Sequence, residues 1–324
     1  MDHTSVIERL APVFERVDQQ LRDHLASDVP FIGHVCEHII LSGGKRLRPA
    51  LFVLAARLCG YTGDREFYFS SVFEYLHAAS LLHDDVVDQS DIRRGRTAAH
   101  LVYGNKGVIL VGDFLFAKSL ALAAETGSVR FLEVLANTVA LMSEGEVLQL
   151  LHARDPKTTE EAYERVIHRK TGALIESACY LGAVLAGIED GRAEELRLYG
   201  RKIGQAFQIV DDALDYSTTQ DEFGKPVGHD LDEGKITLPV IRALAQAEPE
   251  DREEIKALVA KKQRTDEEFH RVKALIDKYQ GLEQTMTRAA RLAVEAKEVL
   301  ADFPDRQEKS DLLDLADFIV ARRK

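Results

Sequence analysis

The chain has no tryptophan, three cysteines, three methionines and eight prolines in 324 residues. Cys36, Cys59 and Cys179 are far apart and odd in number, with no Cys-x-x-Cys pair. They argue against a disulfide framework and fit small core side chains in a reducing compartment. Aromatic residues make up 7%, a thin supply for any site that must cradle a cation on ring faces. Positive charge is short as well: 42 Lys and Arg stand against 54 Asp and Glu, for a net charge of −12. A global anion without a basic tail is not built for nucleic acid or an anionic membrane surface, so any cations that matter must be clustered locally. Met1-Asp2-His3-Thr4 begins no charged-then-apolar leader. The longest apolar stretch, Ala173 to Ile188, contains Glu176 and glycines and is short for a bilayer crossing, so it is expected to be a core helix. These absences predict a soluble, cytoplasmic chain with no transmembrane segment and no nucleic-acid partner. Sustained period-two alternation, low-complexity tracts and solenoid repeats are also missing.

What remains is helical. A hydrophobic content of 45% supports a large core. Val6, Leu10, Val13, Phe14, Val17, Leu21 and Leu25 recur at helical spacing and predict an amphipathic helix over 4–25. Further helices are expected over 31–41, 49–59, 65–89, 105–125, 128–151, 160–169, 173–186 and 192–216, with charged amphipathic helices through 250–322. Thr158 with Glu161 and Thr265 with Glu268 have the spacing of capping boxes. The fold class is therefore all-α. Gly224 to Lys235, rich in Gly, Pro and charge, reads as a long irregular segment and a candidate lid carrying Lys225 and Lys235.

Two carboxylate clusters stand out. Asp84-Asp85-Val86-Val87-Asp88 follows an unbroken helical run from His77. Asp84 and Asp88 share a helix face, and Asp85 lies about 100° round from Asp84. Like charges that close need open solvent or a cation, and an all-oxygen donor set suits Mg²⁺. The second copy, Asp211-Asp212-Ala213-Leu214-Asp215, follows Gln205 to Val210. Both follow apolar runs, so both are expected to look into a cavity, and two carboxylate-bearing helices across a bundle core make a metal site.

Cations lie close by in sequence. Gly43-Gly44-Lys45-Arg46-Leu47-Arg48-Pro49 puts three of them between a tight turn and a helix start, where phosphate is favoured. The Walker A spacing is absent. Arg93-Arg94-Gly95 adds two planar forks, and Lys170-Thr171 opens the apolar helix as a smaller anion site. Such a lining calls for polyanions, divalent cations and a greasy body, as in a diphosphate ester of a lipid-like chain. Metal ions clamped on a diphosphate make it a leaving group. A neighbouring alkene then attacks the allylic cation, and the departing diphosphate takes the final proton. No Ser-His-Asp or Cys-His set is present or required.

Together these motifs resemble the trans-isoprenyl diphosphate synthases (polyprenyl synthetases) over roughly residues 30–240. The resemblance implies a single polyprenyl synthetase domain over 1–324, with catalytic motifs in 43–239 and C-terminal helices in 240–324. It also implies an isoprenoid-synthase-like bundle of about 12–15 helices around a central cavity, a homodimer, and about three Mg²⁺ ions per active site. By that resemblance Lys45, Arg48, His77 and Arg94 hold isopentenyl diphosphate. Arg93, Lys170, Thr171, Gln208, Lys225 and Lys235 hold the allylic diphosphate. Asp84, Asp88 and Asp211 ligate metal, while Asp85, Asp212 and Asp215 support them. His77 shares a helix face with Asp84; His83 has no match and is read as structural. Ala79 and Ser80, one to two turns before Asp84, are small and leave a product tunnel open. The expected product is therefore an all-trans chain of about C35–C50, centred on octaprenyl, for quinone side chains. A short-chain farnesyl or geranylgeranyl synthase is the alternative. A terpene cyclase is disfavoured by the scarcity of aromatics and the second cluster, and a non-catalytic partner subunit by the intact acids and lysines.

Overall fold

A computed structural model describes residues 4–25, 27–217 and 228–322. The chain is all-α, as expected, apart from one short hairpin. α1 (Thr4–Asp23) buries Val6, Leu10, Val17 and Leu21 at the predicted spacing. α2 (Pro30–Ile40) begins with Pro30 at its first position, where no hydrogen-bond donor is needed. α3 (Leu47–Leu58) follows Arg46, which takes left-handed backbone geometry. α4 (Glu66–Val87) ends at the first aspartate cluster.

β1 (Ile92–Arg93) and β2 (Arg96–Thr97) then pair antiparallel around Arg94 and Gly95, both at positive φ, as a two-residue hairpin turn of this hand requires. The sequence predicts no strand here, because two residues are too few to show alternation. α5 (Ala99–Tyr103), α6 (Asn105–Ala124) and α7 (Val129–Leu151) follow.

α8 (Glu160–Ile167) is capped by Thr159, whose hydroxyl accepts from the Ala162 N–H, and not by Thr158. Thr158 instead donates to the Asp155 carbonyl. A π-helical turn, His168–Gly172, runs from α8 into α9 (Ala173–Leu185) without a break. α10 (Gly191–Ser217) carries the second cluster. Part of the segment read as irregular is helical: α11 (His229–Glu233) lies between Gly228 and Gly234, both left-handed. α12 (Leu238–Gln246), α13 (Pro249–Val259), α14 (Asp266–Lys278), α15 (Gly281–Val299) and α16 (Gln307–Ala321) complete the chain. The capping box of Thr265 and Glu268 forms at α14 as predicted.

Contacts divide the chain into two compact units. The first comprises residues through Val139, Leu174–Gly200 and Val299–Leu315. Within it α4 packs chiefly on α6 and α3. Phe73 lies tilted against Phe52 at 5.1 Å, and Phe131 meets Phe52 and Phe69 at 6.1 and 6.4 Å. Gly182 of α9 lets that helix lie against α3, since a side chain there would stand 2.6 Å from the Phe52 carbonyl. Cys36 and Cys179 are buried, and burial pushes the Cys36 thiol up to about 12. α6 is the one helix among the described residues long and apolar enough to cross a membrane; 39% of that apolar stretch is buried within the protein. The second unit comprises Ala140–Ala173, Arg201–Glu298 and the stretch from Ala316 onward. Its helix α8 is tied down by ion pairs from Arg288 to Glu164 (2.8 Å) and from Arg242 to Glu160.

Candidate active site

In the second unit, α10 presents Asp211, Asp212 and Asp215 toward donors from other elements. Asp212 is buried. Its Oδ1 accepts from Gln208 Nε2 at 2.8 Å, and its Oδ2 accepts from the Tyr163 hydroxyl of α8 at 2.5 Å. Asp215 Oδ2 accepts from the Asp230 backbone N–H at 3.1 Å, which ties the start of α11 to the cluster. Asp211 pairs with Arg322 at 2.6 Å. Arg322 also lies 4.0 Å over the Phe207 ring and donates to the Phe207 carbonyl.

This face carries more negative charge than its partners neutralise. Burial, then the Asp230 charge, pushes the Asp212 carboxyl well above the ordinary range despite the bonds from Tyr163 and Gln208. The same causes push Asp215 up to about 7. Crowded all-oxygen donors that resist ionisation are what a hard divalent cation relieves, and among the described residues no three carboxylates form a preformed metal cage.

A cavity of about 100 Å³ opens onto this face, lined by Lys170, Thr171, Gln208, Asp212, Asp230 and Lys235 among others. Four residues assigned to the allylic diphosphate thus meet around one space. Lys225, the fifth from this part of the chain, lies outside the described residues. Lys170 does not open a helix, contrary to the sequence reading. It sits in the π turn, whose backbone is already helical on both sides, so the helix-start argument for an anion site fails there. Its ammonium is held 2.5 Å from Glu146 of α7. α7 comes that close because residue 145 is glycine, where any Cβ would collide with the Lys170 backbone nitrogen. Lys235 pairs with Glu233 and lies 3.7 Å from Asp230. Burial would raise the Glu233 carboxyl, but hydrogen bonds from His229 and Lys235 outweigh it and hold it down at about 2.

In the first unit, Asp88 caps α4 and donates its N–H to the Asp84 carbonyl at 2.7 Å. Asp85 is fully buried. Its Oδ1 accepts from Arg93 Nε at 2.7 Å and from a second Arg93 nitrogen, while its Oδ2 is buried with no hydrogen-bond partner. The hairpin carries Arg94 to the Gly-Gly turn, where it donates to the Gly43 carbonyl and, at 3.2 Å, to that of Ile39. A Cβ on Gly44 would stand 3.1 Å from the Arg94 guanidinium, so this turn is built for that approach.

Arg46 leaves the cationic group. It is buried and spends its charge on Asp18 (2.7 Å) and Glu74, fastening α1 to α4. Lys45 is exposed, and Arg48 sits in the first turn of α3. Burial first, then the charges of Arg48, Arg94, Arg93 and Arg46, hold the His77 imidazole well below its usual range. His77 is therefore held neutral among guanidiniums.

One consequence is measurable as stability. Below about pH 6.5 the unfolded chain binds a proton that folded His77 refuses, so His77 contributes a loss of stability as pH falls from 7 toward 5. It is opposed by Asp212 and Asp215, whose raised carboxyls take up protons in the folded chain over the same range. Relative to wild type, a His77→Gln variant should gain stability as pH falls from 7 toward 5, read as the difference between the two proteins in denaturant titrations across that window. His83 bonds the Ile109 carbonyl at 3.0 Å and packs on Gly112, as a structural residue. Ala79 is fully buried, and the Ser80 hydroxyl donates to the His77 carbonyl.

Residues 29–276 match the sequence model of the polyprenyl synthetase family. The chain belongs to that family. Octaprenyl diphosphate synthase of Haemophilus influenzae is 40% identical over 98% of this chain and 96% of its own length. The enzyme of that name from Escherichia coli is 38% identical over 99% of each. A polyprenyl synthase from Caulobacter crescentus, solved with calcium and isoprenyl diphosphate, superimposes with a TM-score of 0.93 at 42% identity, covering 99% of this chain and 98% of that one. A decaprenyl diphosphate synthase from Rhodobacter capsulatus gives 0.92 at 42% identity over 99% of each. This polyprenyl synthetase is accordingly a prenyltransferase.

Four of its site neighbours went unread in the sequence. Tyr163 lies two helical turns before Lys170, a spacing that would have placed it on the same face. Glu146 and Gly145 left only a Glu-Gly-Glu step inside a helix, and Arg322 left no signal.

Proposed function

We propose that this polyprenyl synthetase adds isopentenyl diphosphate units head-to-tail to an allylic diphosphate and releases a long all-trans polyprenyl diphosphate. The observation that carries this reading is the second carboxylate face, with Lys170, Gln208 and Lys235 around the same cavity and two carboxyls pushed up by crowding. Lys170, Thr171, Gln208, Lys225, Lys235 and Arg93 hold the allylic diphosphate. Lys45, Arg48, Arg94 and neutral His77 hold isopentenyl diphosphate. Asp84, Asp88 and Asp211 hold about three Mg²⁺ ions, with Asp85, Asp212 and Asp215 behind them. When bound, Mg²⁺ neutralises charge developing on the diphosphate leaving group. The allylic C–O bond breaks, the alkene of isopentenyl diphosphate attacks the cation, and the departing diphosphate takes the proton lost from the new chain.

The reading extends to one synthetase domain over 1–324, a homodimer and a cytoplasmic location. Leu101, Val102 and Leu110, exposed at 54%, 53% and 66%, support a partner surface. The small side chain of Ala79 and relatives named for octaprenyl and decaprenyl products support a chain of about C35–C50, with octaprenyl its centre.

Labelled isopentenyl diphosphate, farnesyl diphosphate and Mg²⁺, followed by product sizing, test both parts. Chains of C35 or longer are expected. Products stopping at about C20 overturn the long-chain assignment in favour of the short-chain alternative, and no incorporation onto either farnesyl or dimethylallyl diphosphate overturns the reaction. Ala79→Tyr should shorten the product; unchanged length removes Ala79 from the tunnel.

A further inference from the structure

Tyr163 stands apart from the residues assigned above. It is buried at 4% exposure on α8, and its hydroxyl reaches Asp212 Oδ2 while Gln208 reaches Oδ1. An aspartate carboxylate turns about a broad, soft torsion. Two donors on separate oxygens pin it, and each oxygen keeps lone-pair capacity for another ligand. α8 is itself fixed, by its Thr159 cap and by the ion pairs to Arg288 and Arg242. Lys170 follows two turns later on the same continuous helical backbone, and Tyr163, Lys170 and Asp212 all line the one cavity.

We propose that Tyr163 is a positioning residue for the diphosphate site. Its hydroxyl sets the orientation of Asp212 and thereby the register of the second carboxylate face against Lys170. The role assigned to Tyr163 runs through Asp212, the residue that its hydroxyl reaches. The inference rests on the reading of that face as the metal and diphosphate site.

The test uses full-length protein and Mn²⁺ as a spectroscopic stand-in for Mg²⁺. Tyr163→Phe removes the donor and keeps the ring. Electron paramagnetic resonance in the presence of inorganic diphosphate should show Mn²⁺ binding weakened about tenfold, the scale of one lost charge-assisted hydrogen bond. The value of kcat should fall about tenfold or more while KM for isopentenyl diphosphate holds. On an Asp212→Asn background the same change should add less than about twofold, because the two act as one unit.

Wild-type Mn²⁺ affinity in folded Tyr163→Phe overturns the inference, as does a full additional loss on the Asp212→Asn background. Should Tyr163→Phe fail to fold, 3,5-difluorotyrosine at 163 keeps the hydroxyl. Its fluorine resonance must then shift on adding Mg²⁺ and diphosphate, and a stationary resonance is equally fatal. Wild-type protein that binds no Mn²⁺ with diphosphate brings down the underlying site assignment, and the inference with it, a result distinct from the others.

Discussion

Asp211→Asn is expected to lower kcat by about a thousandfold at fixed Mg²⁺ and to raise the Mg²⁺ concentration for half-maximal rate, because on the proposed reading a metal ligand loses its charge where leaving-group charge must be neutralised. Asparagine is the informative change. Asp211 is ion-paired with Arg322, whose side chain is almost wholly buried against Phe207. Alanine would leave that guanidinium with the Phe207 carbonyl but no counter-charge, and mix instability with lost chemistry. Asparagine keeps a hydrogen-bond acceptor for Arg322 and removes the anion, so it should cost less stability than alanine while metal dependence moves sharply. Asp84→Asn in the first unit should behave likewise. Activity within about tenfold of wild type in either variant, at subsaturating Mg²⁺, would remove that residue from the metal set.

Gly145→Val carries the other large effect. A side chain at 145 has no room, because the Lys170 backbone nitrogen and Arg169 occupy its place. Backbone cannot rotate aside as a flexible side chain does, so α7 and the π turn must separate. Overpacking of this kind costs about 1–3 kcal/mol of stability. The larger expected loss is functional. Displacing Lys170 by about 1 Å from its place beside Glu146 and the cavity should lower kcat about a hundredfold. Chemical denaturation and steady-state kinetics on one preparation separate the two effects. Gly145→Val with unaltered kcat would show that the position of Lys170 is not set by this crossing. Lys170→Ala, measured alongside, shows how much of the loss is the lysine's own.

Several features were legible because they are local. A helix needs only its own spacing of apolar residues, so the all-α class and most helix ranges could be read directly. The same holds for the capping box at Thr265, whose partner Glu268 is one turn away. The Asp84 and Asp211 clusters and the Gly43-Gly44 turn are equally self-contained. Local reading erred where neighbouring choices were nearly equal in energy. Thr158 and Thr159 both suit a cap, and only the chain path through Asp155 decides between them. The hairpin at 92–97 and the helix at 229–233 are too short to declare a period.

By itself, then, the sequence determined the helical class, the two carboxylate clusters and the stock of cations available to serve them. Which cation serves which anion was decided only by the tertiary structure. Arg46 was drawn away to Asp18 and Glu74, while Glu146, Tyr163 and Arg322 were brought to Lys170, Asp212 and Asp211 from other elements. The reason is physical: buried charges must find partners within hydrogen-bond reach. Reach is a property of packed helices and has no counterpart in residue order.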